Sequence, residues 1–140
     1  MIKRRSHRGE LGQALVEFSL SFIAFAALIL GMIDAGRAVW NYNTLAEATR
    51  EGTRYAIVHG ASSSNPSGPG DTQDVVDEVE QFAGGLNTDQ LSVTVTWPDT
   101  TNEPGDRVTV ESVYTYEPIF GLLGPITFDL RSESTMTITN

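Results

Sequence analysis

One carboxylate, Glu17, stands near the start of a long apolar run. Residues 11–34 read LGQALVEFSLSFIAFAALILGMID, and from Phe18 to Ile33 no charge interrupts them. A charged side chain beside hydrocarbon is expensive, so one that persists there usually has a partner and a job. Asp34 and Arg37 close the run three residues apart, a spacing that lets them pair on one helix face or reach lipid headgroups. Trp40 and Tyr42 follow where aromatic side chains sit at a membrane surface. Beyond them the chemistry thins out. Asp71, Asp74, Asp77, Glu78 and Glu80 form an acidic row. It reads as a solvated helix face, because the Asp/Asn/Gly spacing of a calcium loop is absent. His7 and His59 are too far apart to share a metal, and Ser62, Ser63 and Ser64 sit in a loop with no matched base. There are 0 cysteines, hence no thiolate ligand, thiol nucleophile or disulfide. The reading is a protein without catalysis, metal or cofactor.

The apolar run must be positioned by a helix. A bilayer core about 30 Å thick needs about 20 mainly apolar residues at 1.5 Å each. The run reaches that length only if Glu17 is included. Lys3, Arg4, Arg5, His7 and Arg8 precede it, and four of the 9 Lys and Arg lie within residues 1–8. Basic residues beside a first membrane segment stay in the cytoplasm, so the rest of the chain is expected outside the inner or plasma membrane. A cleaved secretory signal is the competing interpretation. The run is longer than a usual signal core, and Asp34, Arg37 and Trp40 occupy the exit where a small-residue cleavage site would stand. An uncleaved single-pass anchor is the better fit.

After residue 59 the chain carries thirteen acidic residues and two basic ones, Arg107 and Arg131, within a formal net charge of -9. So negative a domain repels nucleic acid and anionic lipid. Nucleic acid is therefore excluded as its partner, and the basic tail is assigned to lipid phosphate and topology. Without the anchor, enough chain remains for one small core.

Helical periodicity continues past the membrane exit. Val39, Tyr42, Leu45 or Ala46, Thr49, Gly52 or Thr53, and Ala56 recur at three-to-four spacing. Glu47 with Arg50 and Glu51 with Arg54 add opposite charges at i,i+3. Gly60 ends the pattern and opens the flexible-looking loop ASSSNPSGPG. A second helix is predicted over 71–83, with Val75, Val76, Val79 and Phe82 inward and Gly84-Gly85 ending it. Three strands alternate after it. Leu91, Val93, Val95 and Trp97 share one face; so do Val108, Val110, Tyr114 and Tyr116, and then Phe128, Leu130, Met136 and Ile138. They predict an antiparallel meander whose apolar face is covered by the short helix or the upper long helix, with the sheet far up that helix. The fold class is α+β.

A long N-terminal helix, half in membrane and half against a small antiparallel sheet, resembles the pilin architecture. The words GQALVEF and GMIDAGRAVWNYNTLAEATREGTRYA are similar to TadE-type proteins, minor pilins or pseudopilins of tight-adherence (Flp-type) secretion systems. The likeness is close over residues 12–58 and holds only in outline beyond. It implies a basic leader, residues 1–12, cut by a prepilin peptidase between Gly12 and Gln13. Glu17 is then the fifth residue of the mature chain and Phe18 the aromatic sixth. A cut after Gly9 would put Ala14 fifth, so Gly12 is preferred. The chain accordingly divides into the leader, a long helix at 13–59 spanning the membrane over about 14–36, a loop at 60–70 and an extracytoplasmic domain at 71–140.

The resemblance implies a task for Glu17 that physical chemistry supports. A newly cut N-terminus carries a positive amine, and the Glu17 carboxylate of an adjoining subunit can neutralise it inside a bundle of apolar helices. A charge left unpaired there costs several kcal/mol, so the pair enforces register. By position alone, Glu17 is equally compatible with the headgroup region. Two classes of function follow. One is a non-catalytic pilin-like component of pilus or secretion-system assembly. The other is a single-pass accessory subunit of a larger membrane complex, with its leader kept. Such a subunit would dock through Phe22, Phe25, Leu28 and Met32, with Ala24, Ala27 and Gly31 allowing close helix approach. The expected partners are membrane lipid, other pilin-like or membrane-complex subunits, and the prepilin peptidase that the resemblance implies.

Overall fold

The computed structural model describes residues 7–120 and 126–139, with backbone alone at 7–10. Lys3, Arg4 and Arg5 of the basic cluster, and the first half of the expected leader, lie outside the described residues. The elements in chain order are α1 (His7–Val58), α2 (Gln73–Phe82), β1 (Leu91–Thr96), β2 (Arg107–Tyr116) and β3 (Phe128–Thr137). A single 3₁₀ turn, Thr88–Gln90, leads into β1. The architecture is the α+β arrangement that the periodicities predict: a long helix, a short helix and a three-stranded antiparallel sheet in the order β1-β2-β3.

Helix α1 has 52 residues, about 78 Å at 1.5 Å each, and passes through Gly12 without a break. The chain is therefore already helical six residues before the predicted start at residue 13. The described apolar window of its lower half is 0% buried. Its upper half is the cover of the sheet. The buried stripe there runs through Asn41, Leu45, Ala48, Thr49, Gly52, Thr53 and Ala56. Below Leu45 this departs from the predicted stripe. Val39 and Tyr42 face outward, and the inward positions are Asn41 and the half-buried Ala38, Arg37 and Asp34. Polar residues occupy the inward face there, which a hydrophobic periodicity does not register. The buried Thr49 and Thr53 satisfy their hydroxyls by donating to the carbonyls of Leu45 and Thr49, each at 2.7 Å. The predicted ion pairs form, Arg50 with Glu47 at 3.9 Å and Arg54 with Glu51 at 3.2 Å.

Helix α2 lies against α1 more than against the sheet. Val75 and Val79 are fully buried, and Gly52 makes room for them: a Cβ at Gly52 would stand 2.3 Å from the Val79 Cγ2. Phe82, predicted inward, is instead 44% exposed, and the buried position falls to Ala83. Gly85 has φ +88 and lies against the Trp40 ring, where a Cβ would come within 2.7 Å of it. Only glycine meets both demands, and Trp40 is thereby tied to the domain.

The strand alternation holds in the predicted phase. Val108, Val110, Tyr114 and Tyr116 are buried on β2, and Ser112 between them is also fully buried. Strand β2 runs down α1 toward the apolar half, and β3 returns. At the top, Thr139 donates its N–H to the Ile57 carbonyl at 3.0 Å. At the bottom, Tyr116 reaches Asp34. The sheet thus extends down to the end of the apolar run rather than sitting far above it. The 60–70 loop is not loose: Ala61 N–H donates to the Asn102 carbonyl at 2.8 Å, and the Asn102 side chain donates to the Ser67 carbonyl at 2.9 Å.

Candidate functional site

Two places on α1 concentrate the predicted residues. The first is the segment around Gly12 and Glu17. Gly12 and Gln13 lie within the helix and are exposed, and a Cβ at Gly12 would meet nothing within 4 Å. Glu17 is exposed, with no ion-pair partner among the described residues. Phe18 is 67% exposed, and its ring stacks on that of Phe22 at 6.1 Å. One turn up, the Ser19 hydroxyl bonds back to the Leu15 carbonyl at 2.8 Å, which spares the chain an unpaired hydroxyl in an apolar setting. Phe22, Phe25, Leu28 and Met32 form an outward stripe, each more than half exposed. Ala24 and Gly31 are exposed, with open space at Gly31, while Ala27 is half-buried.

The second place is the end of the apolar run. Asp34 is a junction. Its Oδ1 accepts the backbone N–H of Ile119 at 3.0 Å, and its Oδ2 accepts that of Phe120 at 3.1 Å. Two successive amides aimed at one carboxylate form a small anion nest. The backbone carbonyl of Asp34 accepts the Tyr116 hydroxyl at 2.9 Å. Arg37 stands behind, its Nη1 3.8 Å from the Asp34 Oδ1 and its guanidinium carbon 5.6 Å from the Tyr116 ring centre. The predicted Asp34–Arg37 pair therefore exists, but the carboxylate's closest bonds go to the β2–β3 connection. Burial above all holds the Tyr116 hydroxyl above its usual pKa; the Arg37 charge opposes the shift and the Asp34 charge adds to it. Trp40 is packed on Gly85, while Tyr42 is 47% exposed at the outer side of α1.

The spacing of Asp34 and Arg37 predicts their pairing, and the strand alternation predicts Tyr116 inward; neither points to the bonds that Asp34 makes with Ile119 and Phe120. A signal was available. From Pro118 to Phe128 no charge occurs, so this connection is as free of charge as the membrane run itself. Elsewhere the acidic row stays at the surface, with Asp74 accepting from Asn65 at 3.2 Å and Asp77 from Gln73 at 2.7 Å. Among the described residues no cluster of three or more His, Asp or Glu could hold a metal.

Residues 12–54 match the TadE-like protein family. The TadE-like segment lies wholly within α1, from Gly12 through Glu17 and the Asp34 junction to the first part of the sheet-covering face. Neither a curated protein nor a solved structure matches the chain. The TadE-like match and the long, unburied apolar helix together suggest a single-pass membrane-anchored protein associated with the Tad pilus and its components. That family serves pilus assembly structurally and is not known for catalysis.

Proposed function

We propose that this chain is a minor pilin or pseudopilin of a tight-adherence secretion system. Its N-terminus is cytoplasmic, its apolar helix crosses the inner or plasma membrane, and residues 60–140 lie outside. A prepilin peptidase removes residues 1–12, and the mature protein enters or primes a filament. The observation that carries the reading is Glu17. It is the fifth residue after Gly12, is followed by Phe18, stands exposed in an unburied apolar helix, and falls inside the TadE-like segment. A carboxylate so placed is costly until a cation meets it, and the free amine of a neighbouring processed subunit is that cation.

The test is Glu17→Ala in cells carrying the remaining pilus components. Insertion and the folded outer domain should persist, because Glu17 is 17 residues, about 25 Å of helix, below Asp34. Incorporation into the assembly should be lost. Co-purification of the variant with its native partners at wild-type yield would favour the accessory-subunit reading, in which Phe22, Phe25, Leu28 and Met32 make the contact.

A further inference from the structure

We propose that the β2–β3 end of the domain is a second membrane contact, seating Ile119, Phe120, Ile126 and Phe128 in the bilayer interface where α1 emerges. The inference rests on the membrane-anchored reading of α1 and adds a separate element to it.

Height decides the occupant. Asp34 is the first charge after the uncharged stretch from Phe18 to Ile33, so it marks where the helix leaves hydrocarbon. The amides of Ile119 and Phe120 are bonded to that same carboxylate. Their side chains are consequently held at the level of the membrane surface. Ile119 is 62% exposed, Phe120 40%, Ile126 49% and Phe128 43%. The Phe128 ring lies 5.1 Å from that of Tyr116, which is itself bonded to Asp34. Four large apolar side chains exposed on the two arms of one strand connection are an unusual exposure for a small domain facing water. The same four at a lipid interface bury apolar area, and aromatic rings favour that depth.

The domain's two ends differ in the way this contact requires. At the far end, beside Ile57, the exposed side chains include Ser62, Ser64, Asp99, Thr101 and Glu103. The charges that flank the apolar tip, Glu117 and Asp129, lie just outside it in sequence, and Asp129 pairs at 3.5 Å with Arg131, which also faces Glu111 at 3.7 Å. The partner is thus the zwitterionic and acyl boundary of the bilayer that already holds α1.

The chain's lack of cysteine makes the test direct. Full-length protein carrying one cysteine, at Phe120→Cys, Ile119→Cys, Phe25→Cys or Ser64→Cys, is labelled with the fluorophore NBD. Each is reconstituted in phosphatidylcholine–phosphatidylglycerol vesicles, with or without lipids bearing a nitroxide near the headgroup or in mid-chain. The labels at 119 and 120 should be blue-shifted and quenched by the shallow nitroxide. The label at 25 should be quenched by the deep one, and that at 64 by neither. Water-like, unquenched emission at 119 and 120 with quenching retained at 25 would overturn the second contact and leave the anchor standing. A blue shift at 119 and 120 without lipid quenching would also overturn it, by showing that protein covers the tip. Loss of quenching at 25 would overturn the anchor and this inference together.

Discussion

Tyr116 donates its hydroxyl to the backbone carbonyl of Asp34, 2.9 Å away and 82 positions earlier in the chain. The bond joins the last residue of β2 to the point where α1 leaves its apolar stretch. With the two amides on the Asp34 carboxylate, it fixes how low the sheet sits on the helix.

Asp34→Ala removes the acceptor for both amides. Hydrogen bonds to a charged group are worth about 1.5–3 kcal/mol, so the domain should lose stability on that scale. Hydrogen exchange checks the location. The Ile119 and Phe120 amides should exchange faster in detergent-solubilised variant, while the β1–β2 ladder between Leu91 and Tyr114 keeps its protection.

Tyr116→Phe tests the same junction through pH. Because burial holds the tyrosine's folded pKa above its unfolded one, the folded state keeps the proton more tightly. That contribution is complete below the unfolded value and disappears as pH rises through the folded one, so native protein should destabilise above about pH 10. The phenylalanine variant should be about 0.5–1.5 kcal/mol less stable at neutral pH and show a flatter alkaline limb in denaturant titrations.

Gly52→Ala reverses an ordinary expectation. In an open helix the change would stabilise by up to about 1 kcal/mol. Here the new methyl meets the fully buried Val79 at 2.3 Å, and a β-branched side chain packed on all sides has little room to give. A loss of about 1–3 kcal/mol should appear in thermal unfolding. Adding Val79→Ala should restore part of it, since the clash is with that side chain.

Gly12→Val addresses processing. Co-expressed with a prepilin peptidase, the native chain should yield a mature protein beginning at Gln13 by intact-mass measurement, and the variant should keep its leader. Native protein still starting at Met1 beside an active peptidase would remove the basis for the Glu17 pairing.

The parts of the fold that follow a period were legible in the sequence. Leu91, Val93 and Val95 and their counterparts on β2 and β3 alternate strictly, and the sheet keeps that phase. The apolar run announced its exposure by its own length. What escaped was governed by shape or by distant partners. Ser112 is fully buried on β2 because it stands on the inward phase, a polar residue where apolar counting sees a gap. Asp34 looked like half of a local ion pair, since Arg37 is three residues away, whereas Ile119 and Phe120 are more than eighty. Val39 and Tyr42 drew the helix stripe toward apolar residues, but the sheet meets α1 along Asn41 and Asp34. In the TadE-like segment, Gly12, Gln13, Glu17 and Phe18 stand at motif positions, and folding leaves all of them exposed on α1.

The domain grips α1 at two ends, Asp34 below and Ile57 above, 23 residues or about 35 Å apart along the axis. Strands β2 and β3 run along the helix between those points. A tug on the apolar half along its axis therefore loads the sheet in shear, with both ends and the packing between them resisting at once. Peeling, which breaks contacts one after another, would need a sideways force. If the helix is drawn out of a bilayer, as the proposed assembly role requires, this is the loading geometry in which the domain and its helix travel as a single mechanical piece.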